Sequence, residues 1–351
     1  VWRWAVFQAL GCSRETVRQS GCVLVYPSTL EARELKELAV VLLQRLGFAS
    51  LVLHAEATAV CCACATPLAC VVSLGAHCTS VACVEDGCEV PATRLQLPTG
   101  ARDLARALPR LAQRQPGHPA WPGGTPPGPR ALERLLHGHT AAPSAQQPLA
   151  AMPVHPMLGS ACYLTPLAHF APRLLGLRCS VRARAARCPL PPDPEDTLDE
   201  AYLAEVAGAA ARPQQARAEA EDSLGLDEAV LHSILQLASA RLDVRQRLLA
   251  SVLLVGGGAR QRGLAEALSE RLLQRLPAPA EQEPPAAALA TAARPEPRFA
   301  AWRGGALLAA VDGARDGWVR REALTQGVLV GQPGRYDATA TVLSQLTTYV
   351  T

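Results

Sequence analysis

The sequence predicts an α/β protein of two lobes, and three observations predict it. Ser251 to Val255 is a short apolar run that ends directly in Gly256, Gly257 and Gly258 before a helical pattern resumes, the signature of a buried strand turning into a helix. Three consecutive glycines free the backbone for positive φ and for close approach of a ligand, and such turns are the usual ligand positions of open α/β sheets. Upstream, strand and helix patterns alternate. At 351 residues the chain is also too long for one ordinary core.

The elements follow in order. Val1 to Leu10 carries Trp2, Val6, Ala9 and Leu10 at helical spacing. Cys22 to Tyr26 reads as a buried strand closed by Pro27. Ser28 then stands as the cap of a helix from Leu30 to Leu46, with Leu35, Leu38, Leu42 and Leu46 on one stripe and Gly47 at its end. Leu51 to His54 is the next strand, followed by a small-residue helix from Glu56 to about Ala65. Ala69 to Leu74 and Ser80 to Glu85 pair as strands, with Gly75 in the first turn and Asp86-Gly87 in the second. A helix follows from Arg102 to Arg114.

From Gln115 to Arg130 the density of proline and glycine argues for a loop or disorder, and Ala141 to Pro156 and Cys188 to Pro194 read alike. Order returns at Leu224, where LGLDEAVLHSILQL is a helix with Leu226, Val230 and Ile234 inward. Leu248 to Leu276 is the glycine-turn unit. Phe299 to Val311 is a glycine pair leading into an apolar helix, and Trp302, a large aromatic ahead of that pair, reads as core.

Composition narrows the function classes. Hydrophobic residues make up 49% and charged residues 19%, with a net charge of +3. Lys36 is the sole lysine, Ile234 the sole isoleucine, and Asn is absent, a skew that a G/C-rich coding sequence explains better than phosphate binding does. Arg173, Arg178, Arg182, Arg184 and Arg187 lack aromatic interleaving and read as a solvated face, with DNA contact the alternative. Most of the 12 cysteines lie within apolar patterns and behave as small hydrophobes. Cys61 and Cys64 form one CxxC, but no second pair stands at zinc spacing, so no metal ligands are assigned. The acids Glu85, Asp86 and Asp103 fall at strand ends and a helix start, where caps and turns use them. His54 and His77 flank the same region without a nucleophile at matching spacing. The chain opens at Val1 inside a helical pattern, and the expectation is a fragment, truncated at its N-terminus.

In order, the landmarks VLVYPSTLEARELKELAVVLLQRLGF, HAEATA, VVSLGAHCTSVACVEDG, TRLQLPTGARDL, VLLVGGG and AAWRGGALLAAV resemble the actin family. SVACVEDG, DPEDTLDEAYL and LGLDEAVLHSI are similar to the nuclear actin-related subunits, in particular that of the INO-eighty chromatin remodeller. The resemblance implies the two-lobed fold of the actin, Hsp70 and sugar-kinase class, incomplete at its N-terminus and interrupted by disordered Pro/Ala/Arg-rich insertions. By that comparison residues 1–64 are the remnant of a first subdomain, 65–98 with 224–298 the second lobe, 99–223 an inserted subdomain, 299–330 a return to the first, and 331–351 a tail.

It also implies a nucleotide, ATP with Mg²⁺, in the cleft. Gly256, Gly257 and Gly258 would lie against adenosine and phosphates, Ser73 and Gly75 would form the second phosphate turn, Gly100 would approach from the other lobe, and Glu56 falls where the family positions an attacking water. The family's Asp-x-Gly-Asp is here Ser73-Leu74-Gly75-Ala76, so both acids that help hold the ion are gone, and the first phosphate loop is absent from the sequence. Hydrolysis is therefore not expected. The function implied is a non-catalytic nuclear scaffold that docks with actin and a second actin-related protein on a helix of a remodeller ATPase and supports engagement of histones and linker DNA in repair and transcription. The alternatives are a weak ATP-binding or ATP-hydrolysing protein and a decayed paralogue.

Overall fold

Strand β1 (Gly21–Tyr26) pairs in parallel with β2 (Ser50–Ala55) after a crossover through a helix, and this βαβ unit sets the first lobe. The computed structural model describes residues 1–28, 30, 32–115, 121, 125–144, 155–175, 184–185, 224–238, 241–276, 296–311 and 318–322. Before β1 come helix α1 (Trp2–Trp4), which runs on as a π-helical segment over Ala5–Ala9, and α2 (Arg14–Gln19), capped by Ser13 Oγ accepting from the Thr16 amide at 3.0 Å. The crossover is α3 (Ala32–Val40), continued by a π-helical stretch over Val41–Leu46 and stopped by Gly47 at φ +90°. Leu35, Leu42 and Leu46 bury as the apolar stripe requires, together with Leu24 and Tyr26 on one face of the sheet.

Helix α4 (Glu56–Ala63) leads to the second sheet: β3 (Ala69–Leu74), β4 (Thr79–Glu85), β5 (Cys88–Glu89) and β6 (Leu95–Leu97). The turn between β4 and β5 holds Asp86 at φ +51° and Gly87 at φ +78°, the primed geometry that an Asp-Gly pair favours. Helices α5 (Ala101–Gln113), α6 (Pro129–His139) and α7 (Ala161–Leu167) form a separate small core through Leu104, Leu108, Leu136 and Leu158. Strand β7 (Arg184–Ala185), which the sequence reading left inside the inserted subdomain, pairs with β6. Then come α8 (Leu226–Ala238), α9 (Leu242–Ala250), β8 (Val252–Val255), α10 (Leu264–Arg275), α11 (Ala300–Ala310) and β9 (Val319–Arg320).

The first sheet runs β1-β2-β9 and the second β7-β6-β4-β3-β8 with β5 beside β4. Alternate residues of β3 and β4 divide the second core. Cys70, Val72, Leu74, Val81 and Cys83 face α8, α9 and α10, while Ala69, Val71, Ala82 and Val84 face α4 and the start of α11. Helices α4 and α11 thus lie between the sheets. A Cβ added at Gly304 would fall 1.7 Å from the Ala59 carbonyl oxygen, and one at Gly305 would fall 2.5 Å from Val25 Cγ2, so the glycine pair lets α11 press on α4 and β1.

A buried polar cluster also joins the two sheets. Ser28 Oγ, at the end of β1, donates to Glu89 Oε2 at 2.6 Å, and Glu89 Oε1 accepts from Arg94 Nε. Thr58 Oγ1 of α4 accepts from the Glu89 amide at 3.2 Å. Ser28 is not placed as the cap of α3, which begins only at Ala32; its hydroxyl instead donates to a carboxylate 61 residues away.

Three further expectations are corrected. Leu10 is 74% exposed, at the C-terminal cap of the π-helical segment, while Val6 within that segment is buried. Trp302 is 72% exposed instead of core: at about 100° per residue it lies roughly opposite Gly304, which faces inward. Trp121, inside the Gln115 to Arg130 stretch that reads as a loop or disorder, is buried in the core of α5, α6 and α7. Residues 178, 182 and 187 of the arginine series, the segment DPEDTLDEAYL and the 331–351 tail lie outside the described residues, whereas Arg173 is exposed.

Candidate functional site

β3 and β8 are parallel neighbours, with Ser73 opposite Val255, so the turns that leave their C-terminal ends arrive side by side. The structure brings the predicted site residues together around the β3–β4 turn. Gly256 takes φ +87°, and a Cβ there would stand 2.6 Å from the Leu74 carbonyl oxygen; a Cβ at Gly258 would meet Leu74 Cβ at 2.9 Å. From the other side, a Cβ at Gly100 would meet the Ala76 carbonyl at 2.5 Å and the His77 amide nitrogen at 2.6 Å. Three predicted glycines therefore press on one turn. Gly257 differs, because a Cβ there would meet nothing within 4 Å, so its Cα faces open space.

Hydrogen bonds fix the turn. The Gly75 amide donates to the Cys78 carbonyl at 3.0 Å, and the first amides of α5 are taken by the turn's own carbonyls, Ala101 to Gly75 at 3.0 Å and Arg102 to Ala76 at 2.9 Å. Asp103 Oδ2 accepts from the Gly100 amide at 3.1 Å, which places this acid in a helix cap as its spacing suggested. Among the described residues, the next three amides of the turn, those of Ala76, His77 and Cys78, have no acceptor, and neither does that of Gly257. A run of successive free backbone amides is an anion-binding arrangement. Sequence reasoning assigned the turn to Ser73 and Gly75 and gave no role to the amides of Ala76, His77 and Cys78, whose contribution is backbone and leaves no side-chain signature.

Glu56 begins α4, and its Oε1 accepts from Ser73 Oγ at 2.8 Å. Burial pushes the Glu56 carboxyl above the usual range; the Ser73 bond opposes this and the nearby Glu89 charge adds to it. The residue predicted to position a water is thus joined to the serine that replaces the family's first acid. His54, at the end of β2, is pushed below the ordinary imidazole range by burial, and its buried Nε2 has no hydrogen-bond partner. His77 is exposed at the turn.

Behind Gly258, His169 Nε2 lies 3.1 Å from Gln261 Oε1, and Gln261 Nε2 donates to Thr140 Oγ1 at 3.0 Å. Full burial pushes His169 down to about 4, partly offset by the Gln261 bond, so the ring is neutral near pH 7. This chain of hydrogen bonds ties the glycine turn to α6 and to the end of α7.

Residues 184–325 match the family model described as Actin. Human actin-related protein 8, solved in its ATP-bound state, superposes with a TM-score of 0.67 at 24% identity, over 92% of this chain and 61% of that one. The chain has the actin fold. Among curated relatives of this fold, actin-related protein 9 of Oryza sativa subsp. indica is 29% identical over 96% of the chain and 60% of its own length. That of Arabidopsis thaliana is 28% identical over 95% and 58%. Actin-related protein 8 of Bos taurus is 24% identical over 91% and 63%. The chain thus spans about 60% of the length of the relatives it matches, and the actin-related protein 9 sequences share more identity with it than the Bos taurus protein does.

The actin fold implies a nucleotide and a divalent ion at this place. The free amides of Ala76, His77 and Cys78 and the open face of Gly257 suit a phosphate and a flat ring. The ion does not fit. Mg²⁺ depends on carboxylates alongside phosphate oxygens, whereas Ser73 and Ala76 replace the acids, Glu56 holds Ser73, and Asp103 caps α5 while standing 3.9 Å from Arg106.

Proposed function

We propose that this chain is a non-catalytic actin-related scaffold of an ATP-dependent chromatin-remodelling complex. It would act in the nucleus, docking with actin and a second actin-related protein on a helix of the remodeller ATPase. From there it supports engagement of histones and linker DNA in transcription and repair. The observation that carries the reading is the combination of a turn whose packing glycines are present with positions 73 and 76, where the family carries acids, occupied by Ser73 and Ala76, while Glu56 Oε1 accepts from Ser73. A subunit that works through its surfaces needs the fold and not the acids. A nucleotide bound at the turn then acts as a stabilising ligand and not as a substrate.

Affinity purification of the tagged full-length protein from nuclear extract, with mass spectrometry of its companions, tests the proposal. Recovery of a remodeller ATPase with actin and another actin-related protein supports it, and the ATPase recovered tells an INO-eighty complex from another remodeller. A folded, soluble bait that brings down neither actin relatives nor an ATPase overturns it.

A further inference from the structure

We propose that the turn from Leu74 to Cys78 binds the phosphate of a nucleotide without a divalent cation, with Arg102 supplying the countercharge. The inference rests on the reading of this turn as the nucleotide site and goes beyond it by assigning the charge balance. Two sets of observations lead there. The turn offers three successive amides, of Ala76, His77 and Cys78, with no acceptor among the described residues, and no acid beside them is free for a metal. Glu56, whose Oε1 accepts from Ser73 Oγ at 2.8 Å, has its carboxyl pushed up by desolvation, which favours the neutral form beside an anion.

The countercharge is then sought within the chain. Arg102 is the second residue of α5, and its amide is bonded to the Ala76 carbonyl, which fixes its backbone against the turn. Its neighbours on the helix are committed otherwise: Asp103 to the Gly100 amide, and Arg106 to Asp103 at 3.9 Å. Arg102 is a half-buried residue, and its side chain makes no hydrogen bond or ion pair with any described residue. A planar guanidinium matches two phosphate oxygens at once and keeps its charge at every working pH. It thereby supplies what a hydrated ion supplies where carboxylates are available.

The test is calorimetric titration of the purified chain with ATP, once with excess Mg²⁺ and once with excess EDTA, repeated for Arg102→Gln and Arg102→Lys. Thermal unfolding of each variant without ligand confirms that it is folded. The expected result is ATP binding that differs less than about threefold between the two conditions, a loss of at least tenfold in Arg102→Gln, and partial recovery in Arg102→Lys. Binding that needs Mg²⁺ overturns the inference and leaves the nucleotide reading standing, as does Arg102→Gln binding like the parent. Absence of ATP binding in both conditions overturns the nucleotide reading and the inference with it.

Discussion

Gly304→Ala should force α11 away from α4. The added Cβ would stand 1.7 Å from the Ala59 carbonyl oxygen, roughly half of an ordinary non-bonded separation, and the obstacle is backbone, so no side-chain rotation relieves it. Overpacking of this kind costs about 1–3 kcal/mol, and a rigid obstacle belongs at the upper end. Alanine recovers about 1 kcal/mol of helix propensity over glycine. The net loss is about 2 kcal/mol, or about 4–8 °C at the 2–4 °C per kcal/mol typical of chains of 150–250 residues. Gly305→Ala is the internal control: its Cβ would meet Val25 Cγ2 at 2.5 Å, a side-chain atom that can shift where the Ala59 backbone cannot, so its net loss should be smaller, about 1 kcal/mol. Differential scanning fluorimetry of the parent and both variants gives the answer. A Gly304→Ala protein as stable as Gly305→Ala would refute the view that direct backbone contact sets the α4–α11 distance.

Three other outcomes follow from the same geometry. Gly256→Ala must place a side chain at φ +87° with Leu74 oxygen 2.6 Å away and should lower stability by about 2 kcal/mol or more, whereas Gly257→Ala, at φ −64° in open space, should be neutral to urea denaturation. Burial holds His169 at about 4 against 6.5 for a free imidazole, so the unfolded chain binds the proton first as pH falls; stability is full above pH 6.5 and declines towards pH 4, by up to about 3 kcal/mol. Urea midpoints of the parent and of His169→Gln across that range should therefore converge at low pH, and parallel curves would contradict the neutral buried ring. Glu89→Ala leaves Arg94 buried without its carboxylate and should destabilise by about 3–5 kcal/mol, more than Ser28→Ala at about 1.5–3, with thermal unfolding as the measure.

Periodicity carried the sequence reading a long way, because most of these elements bury one face. Leu35, Leu42 and Leu46 on α3, and Leu226, Val230 and Ile234 on α8, are inward as their spacing implied, and the turns at Gly47 and Asp86-Gly87 have the positive φ that their residues favour. What escaped depends on partners far along the chain. Ser28 looks like a cap until Glu89 is folded beside it, and Trp302 looks like core until the inward phase of Gly304 and Gly305 is fixed by Ala59 and Val25. The site was half legible for the same reason. Glycines mark where backbone approaches backbone, so Gly100, Gly256 and Gly258 could be found from letters. The amides of Ala76, His77 and Cys78 could not, because any residue type supplies an N–H.

The division between what this turn retains and what it lacks bears on function through rigidity. A nucleotide-driven machine needs acids that hold a metal and two lobes that move when the metal's ligands change. Here the carboxylate at the head of α4 is bonded to Ser73, the Ser28–Glu89–Arg94 cluster joins the two sheets where they meet, and α11 is pressed onto α4 without an intervening side chain. Each of these contacts resists relative movement of the lobes. A buried ion pair adds little net stability over apolar packing, but breaking it exposes an uncompensated charge, so it holds one arrangement against others. On the proposed reading, contacts that hold the two sheets together would fix the outer surfaces in register with one another, which is what a docking subunit requires of its fold.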